Sequence, residues 1–177
     1  MAVVKDPDNQ LAQIFTRLVE EHQQKLLCIS YIYLKDRTLA EDAVQETFIK
    51  VYKALPQFRG ECSEKTWVTR ILINTCRDMN RSSWFTYMNR SLQPEDLPDQ
   101  AVPGASEADD RLSDALWQLP ARQKEVILLY YYHNMTMPEI AQALHVSPAT
   151  VSRRIKNACQ RLEDMLRKEG TSWTKSK

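Results

Sequence analysis

Residues 135–155 read MTMPEIAQALHVSPATVSRRI, which has the pattern of two helices on either side of a tight turn. Thr136 followed three residues later by Glu139 is a capping box, opening the first helix. Ile140, Ala141 and Leu144 fall on its inward side. His145-Val146 fills the turn, and Ser147 with Pro148 starts the second helix, Pro being favoured at a first helical position. In that helix Val151, Ile155, Ala158 and Leu162 form an apolar stripe. Ser152, Arg153, Lys156, Asn157 and Gln160 share the opposite face, and Ala149 leaves room near its N-terminal end. Short polar and basic side chains on one helical face suit reading of a DNA major groove. A plain helical hairpin is the competing reading.

Just before this unit, Leu119-Pro120 begins a helix expected to pack over it. The row Tyr130-Tyr131-Tyr132-His133 is a candidate aromatic platform, although core and helix-end packing is its expected use. Upstream, residues 91–105 (SLQPEDLPDQAVPGA) carry three prolines and a glycine and read as a linker. Residues from about 10 to 81 read as helical again. Leu11 to about Tyr33 forms one stretch, and Asp36 and Thr38 offer N-caps to a second helix that stops at Pro56. Ser63 caps a third helix that is expected to end near Arg81.

Both of these later helices divide into two faces. Between Thr38 and Leu55, the residues Ala40, Val44, Phe48, Val51 and Leu55 make a core stripe. Opposite lie Asp42, Gln45, Glu46, Ile49 and Lys53. A charged outer face is commonly just solvated, but an exposed Ile49 among polar groups has the makeup of a helix-docking surface. In the third helix Val68, Ile71, Leu72, Thr75 and Met79 face a core. Trp67, Arg70, Asn74, Arg77 and Arg81 line another side. Guanidiniums for phosphates, an aromatic ring for stacking and an amide for a base edge suit single-stranded DNA. A Trp packed on a neighbouring helix beside incidental arginines remains the alternative.

Composition limits the function classes. The chain has 177 residues, 43% hydrophobic, with three glycines and a net charge of +1. So few glycines argue against Gly-rich phosphate loops, Rossmann fingerprints and turn-heavy β architectures, and for an all-α fold. Overall charge does not point to nucleic acid, but its distribution does. His145 to Lys168 holds six basic residues and two acidic ones, while Ser91 to Asp114 holds seven acidic residues and one Arg. This segregation indicates working surfaces joined by an acidic connector. The scattered Cys28, Cys62, Cys76 and Cys159 and the three histidines lack metal-ligand spacing, so no metal, cofactor or disulfide framework is expected. Reduced thiols, no secretion signal and no long apolar run suggest a cytoplasmic protein. No nucleophile–base pair stands at motif spacing, which argues against an enzyme.

Leu39-Ala40-Glu41-Asp42-Ala43-Val44-Gln45-Glu46-Thr47-Phe48, then Phe58-Arg59-Gly60, Thr66-Trp67 and Asn74-Thr75, resemble domain 2 of bacterial sigma factors. Leu119-Pro120, Glu139-Ile140-Ala141 and Thr150-Val151 resemble their domain 4. With no domain 3 between them, the chain resembles an extracytoplasmic-function (ECF, group IV) sigma factor over residues 10 to 167. The resemblance implies two small helical domains, 10–85 and 107–168, joined by a flexible acidic linker at 86–106.

It also implies roles for the faces. Asp42, Gln45, Glu46 and Ile49 would dock on the clamp coiled coil of the largest subunit of core RNA polymerase, with the flap as a further polymerase contact. Arg59, Lys65, Trp67, Arg70, Asn74 and Arg77 would recognise the −10 element and hold its strand open, the 59–65 loop taking a flipped base. Ser152, Arg153 and Lys156 would read −35 bases, with Thr150, Arg154 and Asn157 nearer the phosphates. The linker would thread toward the RNA exit path. An anti-sigma factor, often membrane-anchored, would bury these same surfaces. His145 and Asn134 stand where the family commonly has Gly, and Ser152-Arg153 replaces a basic-then-Ser pair, so the −35 sequence does not follow from relatives. A conventional helix-turn-helix regulator that never docks on polymerase is the alternative function.

Overall fold

A computed structural model describes residues 7–89 and 107–168, and every regular element among them is helical. Helix α1 spans Pro7–Leu34, α2 Arg37–Ala54 and α3 Glu64–Asn89. After the undescribed segment come α4 (Glu107–Gln118), α5 (Ala121–Ile127), a π-helical turn (Leu128–Tyr132), α6 (Met137–Leu144) and α7 (Pro148–Lys168). The acidic linker, apart from its first residues, and the C-terminal tail lie outside the described residues.

The local signals act as expected at most helix ends. Asp36 caps α2 by accepting from the Leu39 N–H at 2.8 Å, and Lys35 takes the left-handed turn before it (φ 60°). Thr38 is therefore already inside the helix. Pro56 converts the end of α2 into a 3-10 turn, Leu55–Gln57. Ser63 caps α3 through the Thr66 N–H at 3.1 Å. Helix α3 does not stop near Arg81 but continues to Asn89, through residues 86–89 of the expected linker. No Gly or Pro stands between Arg81 and Pro94 to break it.

In the first half α1, α2 and α3 pack around Leu18, Leu26, Ile29, Val44, Val51 and Leu72, all buried. The predicted stripe of α2 is buried throughout, and Ala43 and Thr47 widen it. On α3, Val68, Leu72 and Thr75 are buried as expected, while Ile71 and Met79 are only half-buried; Ile73 and Cys76 are buried as well. In the second half Ile140, Ala141 and Leu144 of α6 meet Val151, Ile155, Ala158 and Leu162 of α7, again all buried. Each large side chain removed from water in this way contributes about 1.5–3 kcal/mol.

The two halves do not stand apart. One hydrophobic core runs unbroken from Leu18 of α1 to Leu166 of α7. Helix α3 packs against α6, and α1 packs against α4 and α5.

Candidate nucleic-acid interfaces

The reading helix of the helix-turn-helix is built as its sequence requires. Thr136 Oγ1 accepts from the Glu139 N–H, and the Glu139 carboxylate accepts from the Thr136 N–H at 2.8 Å, completing the capping box. The Thr136 N–H and, at 2.7 Å, the Thr136 hydroxyl both donate to the Glu139 carboxylate and hold it below its ordinary pKa. His145 ends α6 in the left-handed region (φ 54°, ψ 49°), the conformation for which glycine is favoured there. Ser147 then caps α7 through the Thr150 N–H at 3.2 Å. Ser152, Arg153, Lys156, Asn157 and Gln160 are all exposed, while Thr150 and Arg154 are half-buried at the margin of the same face.

On α2, Asp42, Gln45 and Ile49 are exposed and Glu46 is half-buried, 3.4 Å from Lys50. Ile49 keeps 47% of its surface and Tyr52 58%, which is unusual for such large apolar groups. They border a shallow groove between α1 and α2 that is floored by Phe15, Val19 and Phe48. Phe15 meets both Phe48 and Tyr52 edge-on, with ring centroids 6.2 and 5.1 Å apart, so the groove is stiffened by aromatic contacts.

The third surface differs most from the sequence expectation. Trp67 is half-buried and stacked on Phe58 at 4.5 Å, so part of the packing alternative holds for it. Arg59 and Asn74 are exposed. The other three cations touch the second half of the chain. Lys65 Nζ donates to the Asn134 carbonyl at 3.1 Å. Arg70 Nη2 donates to the Gln142 carbonyl at 3.1 Å. Arg77 forms a two-pronged ion pair with Glu125, 2.8 Å at each contact. This pairing raises the Arg77 pKa, and burial lowers that of Lys65.

The tyrosine row divides where the π-helical turn shifts the helical phase. The His133 N–H reaches back to the Leu128 carbonyl and the Met135 N–H to the Leu129 carbonyl. His133 is thereby turned inward, 1% exposed, against Thr69 of α3 at 3.0 Å. Tyr130 is half-buried, but Tyr131 and Tyr132 point outward at 47% and 45% exposure, contrary to the expected packing of the row. Sequence reasoning also missed Glu125, which reads as one more charge on a short helix and is 1% exposed.

The comparisons with known proteins agree with this geometry. Residues 18–86 match the model of sigma-70 region 2, and residues 109–162 match that of sigma-70 region 4. The chain is 30% identical over 166 residues to the ECF RNA polymerase sigma factor SigL of Mycobacterium tuberculosis, covering 91% of this chain and 93% of that protein. It is 26% identical to the RNA polymerase sigma-H factor of Pseudomonas aeruginosa, over 86% of both chains. Among solved structures, CnrH bound to the cytosolic domain of CnrY superposes with a TM-score of 0.70 at 25% identity, covering 90% of this chain and 91% of that one. The fold is also that of RpoE from Bartonella quintana, solved with the anti-sigma factor NepR, at a TM-score of 0.69 and 22% identity over 93% and 98% of the two chains. The chain belongs to the sigma-70 family, in its ECF class.

Among the described residues no cluster of His, Cys, Asp and Glu could hold a metal ion, and no helix is long and apolar enough to cross a membrane.

Proposed function

We propose that this chain is a promoter-specificity subunit of bacterial RNA polymerase, of the two-region group IV plan. It binds core polymerase, recognises −10 and −35 elements, and keeps the −10 region open. The observation that carries this reading is the order of two sigma regions on one chain, with the outer faces of α2 and α7 both open to solvent. Asp42, Gln45, Glu46 and Ile49 form the docking face for the polymerase clamp, where an apolar anchor sits inside a polar rim. Ser152, Arg153 and Lys156 read the −35 duplex, and Thr150, Arg154 and Asn157 hold its backbone.

Arg59, Lys65, Trp67, Arg70, Asn74 and Arg77 serve the −10 strand. Captured bases there offset the few kcal/mol needed to unstack each step. The chain does no covalent chemistry of its own in this scheme and works in the cytoplasm with the polymerase. An anti-sigma factor, anchored in the membrane, is its regulating partner. Residues 10–85 and 107–168 act as the two functional units, with the acidic 86–106 segment threading the polymerase between them. A regulator using only α6 and α7 would leave the α2 face without a purpose.

The test is association with purified core polymerase, with a resident sigma factor as competitor. A one-to-one complex that excludes the competitor is expected. Duplex DNA binding without any core association would overturn the reading.

A further inference from the structure

Among the described lysines only Lys124 is buried, 8% exposed, on α5 at the seam where the second half of the chain meets α1. Its Nζ donates to the Trp117 carbonyl in the last turn of α4, at 3.2 Å. The charge acting on it is another cation, Lys35. Lys35 follows α1 in a left-handed turn (φ 60°) and holds its Nζ over the Trp117 ring, 4.8 Å from the centroid. Two ammonium groups therefore share one tryptophan. The indole Nε1 of that tryptophan is itself buried, with no acceptor among the described residues. Three donors, two of them cationic, are gathered around one bonded acceptor.

This cluster activates an amine. Burial, reinforced by the Lys35 charge, lowers the pKa of Lys124 to about 8. At pH 7 about one chain in ten then carries the free amine here, against roughly one in three thousand for an ordinary lysine. Desolvation beside a second cation is a recurring way to make a lysine nucleophilic. Burial also selects the electrophile. A bulky acyl donor is hindered at an amine with so little open surface, whereas a small neutral molecule is not.

We propose that Lys124 is a carbamate site for dissolved carbon dioxide, with Lys35 as the counter-ion of the carbamate. The Nζ lone pair attacks the CO2 carbon, one C–O π bond opens onto its oxygen, and Nζ releases a proton to water. Amine and CO2 thus become a carbamate and a proton, with no oxidant, reductant or cofactor. The charge at this position passes from positive to negative, so two repelling cations become an ion pair, with the Trp117 N–H as a further donor in the same cluster. The site stands independently of the polymerase and DNA roles proposed above.

The test uses the full chain in carbon-13-labelled bicarbonate at about pH 8, where much of this amine is free. Triethyloxonium then converts any carbamate to a stable ethyl ester, and peptide mapping by mass spectrometry locates it. The label is expected on Lys124 ahead of every other lysine, and several-fold reduced there in Lys35→Gln. Label spread evenly over surface lysines, or absent from Lys124, overturns the proposal. Melting temperature supplies a second readout. At matched pH and ionic strength it should rise in bicarbonate relative to chloride, and Lys124→Arg should abolish the rise. An equal rise in both proteins overturns the ion pair with Lys35. If Lys124→Arg fails to fold, Lys35→Gln takes its place in this comparison. Neither readout involves polymerase or DNA, so failure here leaves the sigma reading untouched.

Discussion

The guanidinium of Arg77 grips Glu125 with two hydrogen bonds, Nε and Nη2 each 2.8 Å from a carboxylate oxygen. The pair joins residues 48 positions apart in the sequence, and its two members are unequally buried, 35% exposed for Arg77 and 1% for Glu125. Fork-to-carboxylate geometry of this kind is strong and directional. Its removal is therefore asymmetric. Arg77→Ala leaves Glu125 buried without its cation and should cost about 1–3 kcal/mol, less than the roughly 3–5 kcal/mol of a fully buried pair because Arg77 is partly solvated. Adding Glu125→Ala should restore part of that loss. Urea denaturation of the three variants checks this, and additive losses would show that the two residues do not act as a pair.

On the docking face, Glu46→Lys places a positive charge beside Ile49 and Asp42. The side chain is half-buried but surface-facing, and its contact with Lys50 is a helix-surface pair worth only about 0.3–0.5 kcal/mol. The fold should persist while affinity for core polymerase falls at least tenfold. Wild-type affinity in this variant would remove the face from the docking assignment.

Arg153→Ala should act at one position of the −35 element. An exposed arginine near the start of a reading helix makes base contacts worth about 1–3 kcal/mol. Comparing binding across single-base variants of a selected duplex distinguishes the roles. Loss of preference at one base pair is expected, and a uniform loss would make Arg153 a phosphate contact.

His133 gives a pH signature to the seam. Burial, then the charges of Lys65 on α3 and His22 and Lys25 on α1, bring its pKa down from 6.5 to about 4, with Glu139 on α6 opposing weakly. A depressed histidine stays neutral in the folded chain while the unfolded chain takes up the proton. Stability should be unaffected by this group above pH 6.5 and should fall as pH drops from there toward 4. The slope approaches about 1.4 kcal/mol per pH unit. His22, lowered chiefly by burial, adds in the same direction. Urea midpoints between pH 7 and 5 should drift downward in the wild type and drift much less in His133→Gln. Equal slopes would place the proton uptake elsewhere.

Local features were legible in the sequence because they obey local rules. The capping box at Thr136 and Glu139, the Asp36 cap and the buried stripes of α2 and α7 follow from spacing alone. His145 and Asn134 both occupy left-handed positions, so at the two places where the family resemblance leads one to expect glycine the backbone is the one glycine would take. Helix α3 runs past the expected end near Arg81 because no glycine or proline follows to enforce a stop there. In the tyrosine row a π-helical turn, which no local residue signal announces, leaves Tyr131 and Tyr132 exposed and turns His133 inward. What no periodicity could reveal is the partner of a charge. Glu125 and Arg77 each look like surface residues of their own helix, and only the packing of α5 against the first half makes one the other's counter-ion.

Promoter selection for RNA polymerase is decided by run-off transcription with purified core polymerase on a library of randomised upstream sequences. Discrete transcripts are expected whose templates share one element near −10 and another near −35, absent with core alone. Duplex DNA binding with no transcript above the core-only background would contradict it.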